Sequence, residues 1–463
     1  MNARAALALS LASFASLASY APRAHAETRA AYGGQALGAL ASSAVDLDPL
    51  SLNPGDGEIA ALLFDSPFRV DPLGRLRPQL ALALDVDRAT PLRARLRLRP
   101  DVRFHDGTPL RAKDVAASLA RALQSPAGWM LAPIRAARAV ADDVVEIDLA
   151  RPAPDLALLL STPAALVTPG GAHRSIGSGP FRLDAVDNGQ VRLSAHAACF
   201  AGRPYLDGLT LRAYGSRPEE AGAWDVGALH VARHLGAGVD RAAVEGPMTI
   251  TEYLAIGRGI SDAFVAPFAA AFELGIDRDR LRRLAVRERA VPARSPAPPA
   301  LGGASGVPVY DPAAATRAFA DKVPAEARKV SLVVDKSRLE DRAVADRILA
   351  DLARVGIEVA IDLADAASYQ QRLQSGRYEL LLGASAPPAP DGGLAELALV
   401  AVADPAIARA ALLRAPAAIG AQAAPRVVPL YHRAPRLHHA AELRGLAVDG
   451  AGRASWADAH WRR

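Results

Sequence analysis

"RPDVRFHDGTPLRAKDV" occupies positions 99–115 and places a strand end, a polar turn and a helix start within seventeen residues. Upstream, "LRARLRLR" alternates Leu92, Ala94, Leu96 and Leu98 with four arginines. That period of two predicts a strand with one apolar face and one solvated basic face. Pro100 closes the strand. His105-Asp106-Gly107-Thr108-Pro109 has turn chemistry: Asp bonds nearby backbone, Gly accepts positive φ and Pro presets its own φ. Val115, Leu119 and Leu123, at steps of four, then mark a helix whose first turn carries Asp114, favourable to the helix dipole. His105 therefore reads as a scaffold residue at a strand–turn–helix corner.

A second unit spans 329–363. "KVSLVVD" alternates as a strand, and "RLEDRAVADRILADLARV" is amphipathic through Val344, Ile348, Leu352 and Val355. Gly356 is a natural terminator, and "IEVAIDL" alternates again. Strand, helix and strand joined this tightly predict a right-handed parallel βαβ unit, so the chain is α/β. The Pro-, Gly- and Ser-rich stretch 291–308 predicts an extended loop, and 386–393 a weaker break.

The chain has 463 residues, half of them hydrophobic, which is enough for two or three domains with real cores. The net charge of +5 comes almost wholly from arginines interleaved with acids, since the lysines are Lys113, Lys322, Lys329 and Lys336. A dispersed charge of this kind does not predict a nucleic-acid partner. At the N-terminus Arg4, the apolar stretch 5–21 and Ala24-His25-Ala26 have the layout of a secretory signal peptide cleaved near Ala26. No cysteine follows that site directly, so a free periplasmic protein is expected and not a lipoprotein. Cys199 is the single cysteine and reads as a small buried hydrophobe. Ser178 in "GSGP" lacks the G-x-S-x-G elbow and a nearby His–Asp set, so no catalytic residue and no enzyme is expected. His432, His438 and His439 form a histidine-rich stretch in which no carboxylate or cysteine completes a metal set; no metal and no cofactor is expected.

The segment 98–123 resembles the signature of the extracytoplasmic solute-binding proteins of peptide- and nickel-type ABC importers, family 5, above all at Phe104 to Pro109 and Ala112 to Val115. The resemblance is collinear over nearly the whole mature chain. It runs through "LDP" at 47–49, "GRLRPQLALAL" at 74–84, "GSGPFRL" at 177–183, "GRPYLDGLTLR" at 202–212, "LGIDRDRL" at 274–281, "ASYQQRLQSGRYELLLG" at 367–383 and "VVPLY" at 427–431. It implies a periplasmic-binding-protein type II-like fold: two lobes with mixed sheets joined by two hinge crossings, the larger lobe carrying an extra subdomain. The boundaries implied are signal peptide 1–26, lobe I over 27–53, its extra subdomain 54–174, lobe I again 175–250, lobe II 251–426 and a return to lobe I over 427–463. The implied function is capture of a small solute (oligopeptide, sugar or metal chelate) by a monomer that delivers it to a membrane permease. The alternative is a protein of the same fold acting as a sensor or interaction module without transport.

By resemblance, Asp48, Arg258, Ser385, Ala386, Asp391, Tyr431 and His432 are the candidate ligand-binding residues. The sequence departs from the family pattern at "GASAPPAPD", 383–391, where Pro388 stands in place of the Asp that pairs with a peptide's α-amino group, Ser385 in place of a Trp and Ala389 in place of a Tyr. Pro cannot partner a buried ammonium. The following segment is short and Ala-rich, without the usual Asn- and Tyr-containing helices, so lobe II reads as reduced. Arg111 stands where a Thr usually caps the helix of the signature segment.

Overall fold

The computed structural model describes residues 30–40, 47–50, 56–87, 90–171, 175–187, 189–235, 242–285, 289–414 and 426–462. The signal-peptide expectation falls outside them. Among the described residues no helix is long and apolar enough to cross a membrane.

Around the opening motif, strand Arg93–Leu98 alternates as expected: Ala94, Leu96 and Leu98 are buried and the arginines exposed. The arginine face is not left unpaired. Arg95 reaches Glu146 on the neighbouring strand at 3.2 Å, and Arg93 approaches Glu146 and Asp148. Helix Ala112–Leu123 buries Val115 and Leu119 fully. Asp114 does the capping that Arg111 cannot. Its carboxylate accepts from the Arg111 backbone N–H at 2.9 Å and, with the other oxygen, from Gly170 N–H at 2.9 Å.

His105 is the corner's keystone. Its Nδ1 accepts from Gly177 N–H at 3.2 Å, its Nε2 meets the Gly179 carbonyl at 3.2 Å, and its own backbone N–H donates to Gly177 at 2.8 Å. The ring is thus held neutral with the proton on Nε2. It ties the turn to "GSGP", 72 residues further along the chain. Ser178, between those glycines, is fully buried and donates to Asp65 at 2.7 Å, so Ser178, His105 and Asp65 do not form a proton relay.

Three sheets carry the architecture. A seven-stranded mixed sheet pairs Gln35–Ala39 parallel with Gly208–Arg212 and extends on the other side to Val231–Ala232, Arg436–His439 and Ala243–Glu245. A six-stranded mixed sheet runs Ala290–Pro292, Val427–Arg433, Ile250–Ile256, Leu380–Ser385, Lys329–Asp335, Glu358–Ala364. Its last two strands are parallel, in register Lys329 with Glu358, and joined by helix Asp341–Ala353: the expected βαβ unit. Gly356 ends that unit's helix in the left-handed region, φ 89°. A four-stranded antiparallel sheet, Ala81–Val86, Arg93–Leu98, Val144–Leu149, Ile134–Ala141, packs under helix Ala112–Leu123. The architecture is α/β with two mixed sheets joined by two crossings, as the resemblance implied.

Two particulars differ from the sequence reading. Strand Val427–Arg433 belongs to the six-stranded sheet, paired along its length with Ile250–Ile256. The chain therefore crosses back at Ala434-Pro435, not at 426–427, because the backbone hydrogen bonds of that strand are satisfied only within the second sheet. The outward crossing is 246–249, and the two touch: Gly246 N–H donates to the Pro435 carbonyl at 2.9 Å. Second, the Ala-rich segment after 391 still folds as a helix pair, Gly392–Ala403 and Pro405–Arg414, though neither helix carries an Asn or a Tyr. Ala389, Leu394, Leu397, Ala401, Ala408 and Leu412 enter the same apolar core as the four-stranded unit. Leu399 packs instead beside Tyr253 and Leu381 of the six-stranded sheet. Short alanines let the first helix lie between both. Leu412→Ala is expected to cost about 2 kcal/mol in equilibrium denaturation; an unchanged midpoint would show that the pair does not hold to that core.

The histidines set a pH dependence. Burial pushes His105 and His432 down to about 4. The unfolded chain takes up those protons below about pH 6.5. Their stabilisation is therefore complete above that pH and lost as pH falls from there toward 4. Asp65 works the other way. Burial raises its carboxyl to about 6, so the folded protein holds a proton there that the unfolded chain has shed, and stability declines as pH rises from about 3.8 through 6. Two histidines outweigh one aspartate, so the melting temperature should fall on acidification from about pH 7 to about pH 4.5. Replacing both histidines by Asn should flatten that slope; a slope unaltered in the variant assigns it elsewhere.

Candidate functional site

The cleft lies beyond the carboxyl end of the parallel strand Lys329–Asp335, where α/β sheets commonly place their ligands. Asp335 ends that strand, and its carboxylate accepts from Ser337 N–H and Oγ at 2.8 and 2.7 Å, shaping the turn into helix Asp341–Ala353. The turn delivers Arg338 inward. Arg338 meets Glu252 at 2.6 Å and Asp341 at 3.2 Å, and Arg433 meets the other Glu252 oxygen at 2.9 Å. Glu252 is buried, with a strand irregularity at Glu252/Tyr253 that re-aims its neighbours. Burial works to raise its carboxyl, but the two guanidinium groups prevail and hold it below the usual range. Asp341 lies at the other extreme. Burial raises it well above the usual range, Arg338 opposes, and Glu252 and Asp335 add repulsion.

The facing wall comes from the first sheet. Glu58 pairs with Arg233 and accepts from Trp456 Nε1 at 3.1 Å. Arg233 Nε donates to the Ala39 carbonyl at 2.8 Å. Glu220, buried, accepts from His234 N–H at 2.9 Å and faces His234 Nδ1 at 2.8 Å. Between the walls is a cavity of about 130 Å³, bordered by Arg233, Tyr253, Arg338, Asp341 and Tyr369 among others. A more open cavity of about 320 Å³ adjoins it and shares Asp335, Arg338 and Leu339. Across it Arg217, in helix Arg217–Asp225, reaches Glu340 at 2.5 Å, both side chains mostly buried. This pair spans the cleft. Arg217→Gln is expected to lower stability by up to about 1 kcal/mol; an unchanged urea midpoint would show that the pair contributes nothing.

Of the candidate residues, Ala386 borders the cavity. Ser385 neighbours it at the end of its strand, half-buried and in register with Thr251. The others lie elsewhere. Asp48 pairs with Arg121 of helix Ala112–Leu123 and accepts from Leu50 N–H. Arg258 is exposed, in a turn whose backbone N–H donates to Gly376. Asp391 caps helix Gly392–Ala403, accepting from Leu394 N–H at 2.8 Å. Tyr431 is buried in the apolar core of the six-stranded sheet. His432 is buried between Thr251 Oγ1 at 2.9 Å and the Ser295 carbonyl at 3.1 Å. His438 and His439 lie in the other sheet, paired with Val231–Ala232. Among the described residues no cluster of three potential metal ligands exists. Cys199 is buried, and burial raises its thiol to about 11, out of reach of thiolate chemistry.

The sequence reading missed Glu58, Arg233, Glu252, Arg338 and Asp341. One of them carried a signal: Glu252 is the sole charge in "ITEYLAI", a run otherwise fit for a core strand.

The sequence profile of bacterial extracellular solute-binding proteins, family 5 Middle, matches residues 75–395. The chain belongs to family 5 of the bacterial extracellular solute-binding proteins. Two curated proteins match over part of their length. They are the uncharacterized protein YhjP of Bacillus subtilis (30% identity, 36% of this chain, 29% of that one) and the HTH-type transcriptional regulator SgrR of Pectobacterium atrosepticum (29% identity, 32% and 27%). This family 5 chain thus spans under a third of each. Solved structures match across nearly the whole chain. AgaA of A. tumefaciens R10, in complex with agropinic acid, superposes with TM-score 0.78 at 17% identity, covering 89% of this chain and 95% of that one. The dipeptide-binding protein of Pseudoalteromonas sp. SM9913, with Met-Leu, gives 0.78 at 16% (93% and 100%). NikA of Staphylococcus aureus, with Ni(L-His)2, gives 0.77 at 15% (90% and 97%). At these identities the likeness is one of fold, and the family 5 fold is what it shows.

Proposed function

We propose that this protein is the periplasmic solute-binding component of an ABC importer, a monomer secreted through a cleaved signal peptide, without catalytic activity, that captures a small solute between its lobes and presents it to a membrane permease. The observation that carries this reading is the polar cavity whose walls come from both sheets, one on each side of two adjoining chain crossings. A ligand there touches both walls only when they are closed together, so it stabilises the closed form by its differential affinity for it. The division at the crossings supports lobe II as 250–433, with the four-stranded unit as a subdomain bridged to lobe II by the helix pair. Native mass spectrometry of the protein purified from its own periplasm tests the reading. A retained small molecule of defined mass is the expected result. An empty protein that no solute panel stabilises against heat would overturn it in favour of a sensor or interaction role.

A further inference from the structure

Charges of both signs ring the inner cavity nearly in balance, five arginines against four carboxylates. Arg233 is answered by Glu58, Arg338 by Glu252 and Asp341, and Arg433 by Glu252. A charge brought in by a solute would find these counter-charges engaged and would lose its hydration without return. What the walls leave open is hydrogen-bonding capacity of both kinds. Tyr253 is 1% exposed and borders the cavity, and its hydroxyl has no hydrogen-bond partner among the described residues. Burial raises its phenol, so it keeps its proton and can donate. The half-buried Gln370 carboxamide, also without a partner among the described residues, offers a donor and an acceptor. From the facing wall His234 turns Nδ1 to Glu220 and leaves Nε2 open. Asp335 is 2% exposed; one oxygen takes both Ser337 donors and the other has no partner among the described residues. Lys336 and Arg338 border the adjoining cavity together with Asp335, so a cation drawn to that oxygen would be repelled by both. An ammonium only donates and a carboxylate only accepts, whereas a hydroxyl does both. The Tyr253 and Tyr369 rings add apolar wall for a carbon chain. The volume, about 130 Å³, is near that of a cavity that holds one benzene.

We propose that the cavity takes a small uncharged polyol of about six to eight non-hydrogen atoms, its hydroxyls shared among Tyr253, Gln370, His234 and Asp335. The inference rests on the solute-binding reading and deepens it by naming the solute class. It accounts for Pro388 as well: a solute without an ammonium group needs no carboxylate in the loop 383–391.

The test is titration calorimetry on the full secreted protein with five probes: erythritol, 1,4-butanediol, erythronate, 1,4-diaminobutane and the dipeptide Met-Leu. Erythritol should bind saturably, at least about tenfold tighter than 1,4-butanediol, which has the same carbon chain without the inner hydroxyls. Tyr253→Phe keeps the ring and removes only the hydroxyl; it should weaken erythritol about three- to tenfold and leave the urea midpoint in place. Equal affinity for erythritol and 1,4-butanediol, or full erythritol binding by Tyr253→Phe, overturns the inference. If that variant does not fold, erythritol against 1,4-butanediol on the unaltered protein decides alone. Erythronate or 1,4-diaminobutane binding tighter than erythritol, or Met-Leu binding where erythritol does not, overturns the polyol and leaves the solute-binding reading standing. Silence of all five probes overturns the polyol; with an empty protein in native mass spectrometry as well, it overturns both.

Discussion

Glu252→Gln is expected to destabilise the protein by about 3–5 kcal/mol, because removing one member of a buried ion cluster strands the others. Glu252 answers both Arg338 and Arg433, is itself 2% exposed, and its partners keep only about a fifth of their side-chain surface exposed. A neutral amide keeps the shape, loses the charge and presents N–H groups where two cations already donate. Asp341 then remains as the one carboxylate against Arg338. The control is the exposed pair Lys329–Glu358 at 3.1 Å, whose loss should cost nothing measurable. Urea denaturation of both variants checks the pair of expectations. A midpoint for Glu252→Gln within error of the parent would mean that the cluster is solvated and that the cleft floor is not the buried surface described.

The second large effect concerns backbone clearance. A Cβ at Gly177 would stand 2.0 Å from the Leu63 carbonyl oxygen and 2.6 Å from Phe64 Cδ1. Gly179 faces the same wall, 2.5 Å from the Leu62 carbonyl. The clashes with the Leu62 and Leu63 carbonyls cannot be relieved by a side-chain rotation, and Gly177 is also held by His105. Gly177→Ala should cost about 3 kcal/mol or more and loosen the junction between the signature turn and the first sheet. Gly222→Ala, in helix Arg217–Asp225 with nothing near its Cβ, should instead stabilise by about 0.5–1 kcal/mol. If both variants melt alike, steric clearance is not what reserves position 177 for glycine.

What the sequence made legible was local. Period two at Arg93–Leu98 and steps of four in helices Ala112–Leu123 and Asp341–Ala353 depend on which faces are wet, and neighbouring residues report that directly. The site depends on which distant segments face one another. Tyr431 and His432 show the difficulty. Their strand is buried on both faces, so one side chain enters the apolar core and the next meets Thr251 and Ser295, and alternation does not tell the cleft side from the core side. Asp391 read in sequence as a ligand contact, and the geometry gives it a helix end. Asp341 looks from sequence like any acidic residue in a helix's first turn. Its role follows from Glu252, 89 positions earlier, and no periodicity links the two.

The touching crossings have a mechanical consequence. Two loose strands of chain between two bodies would permit twist, shear and splay. Here Gly246 and the Pro435 carbonyl are fastened together, and a Cβ at Gly246 would strike Pro435 and Val448. Prolines at 247 and 435 stiffen both strands. The two crossings therefore move as one, and single-molecule distance traces between the two mixed sheets are expected to step between two levels; a continuum of intermediate distances would show that the fastening does not constrain them.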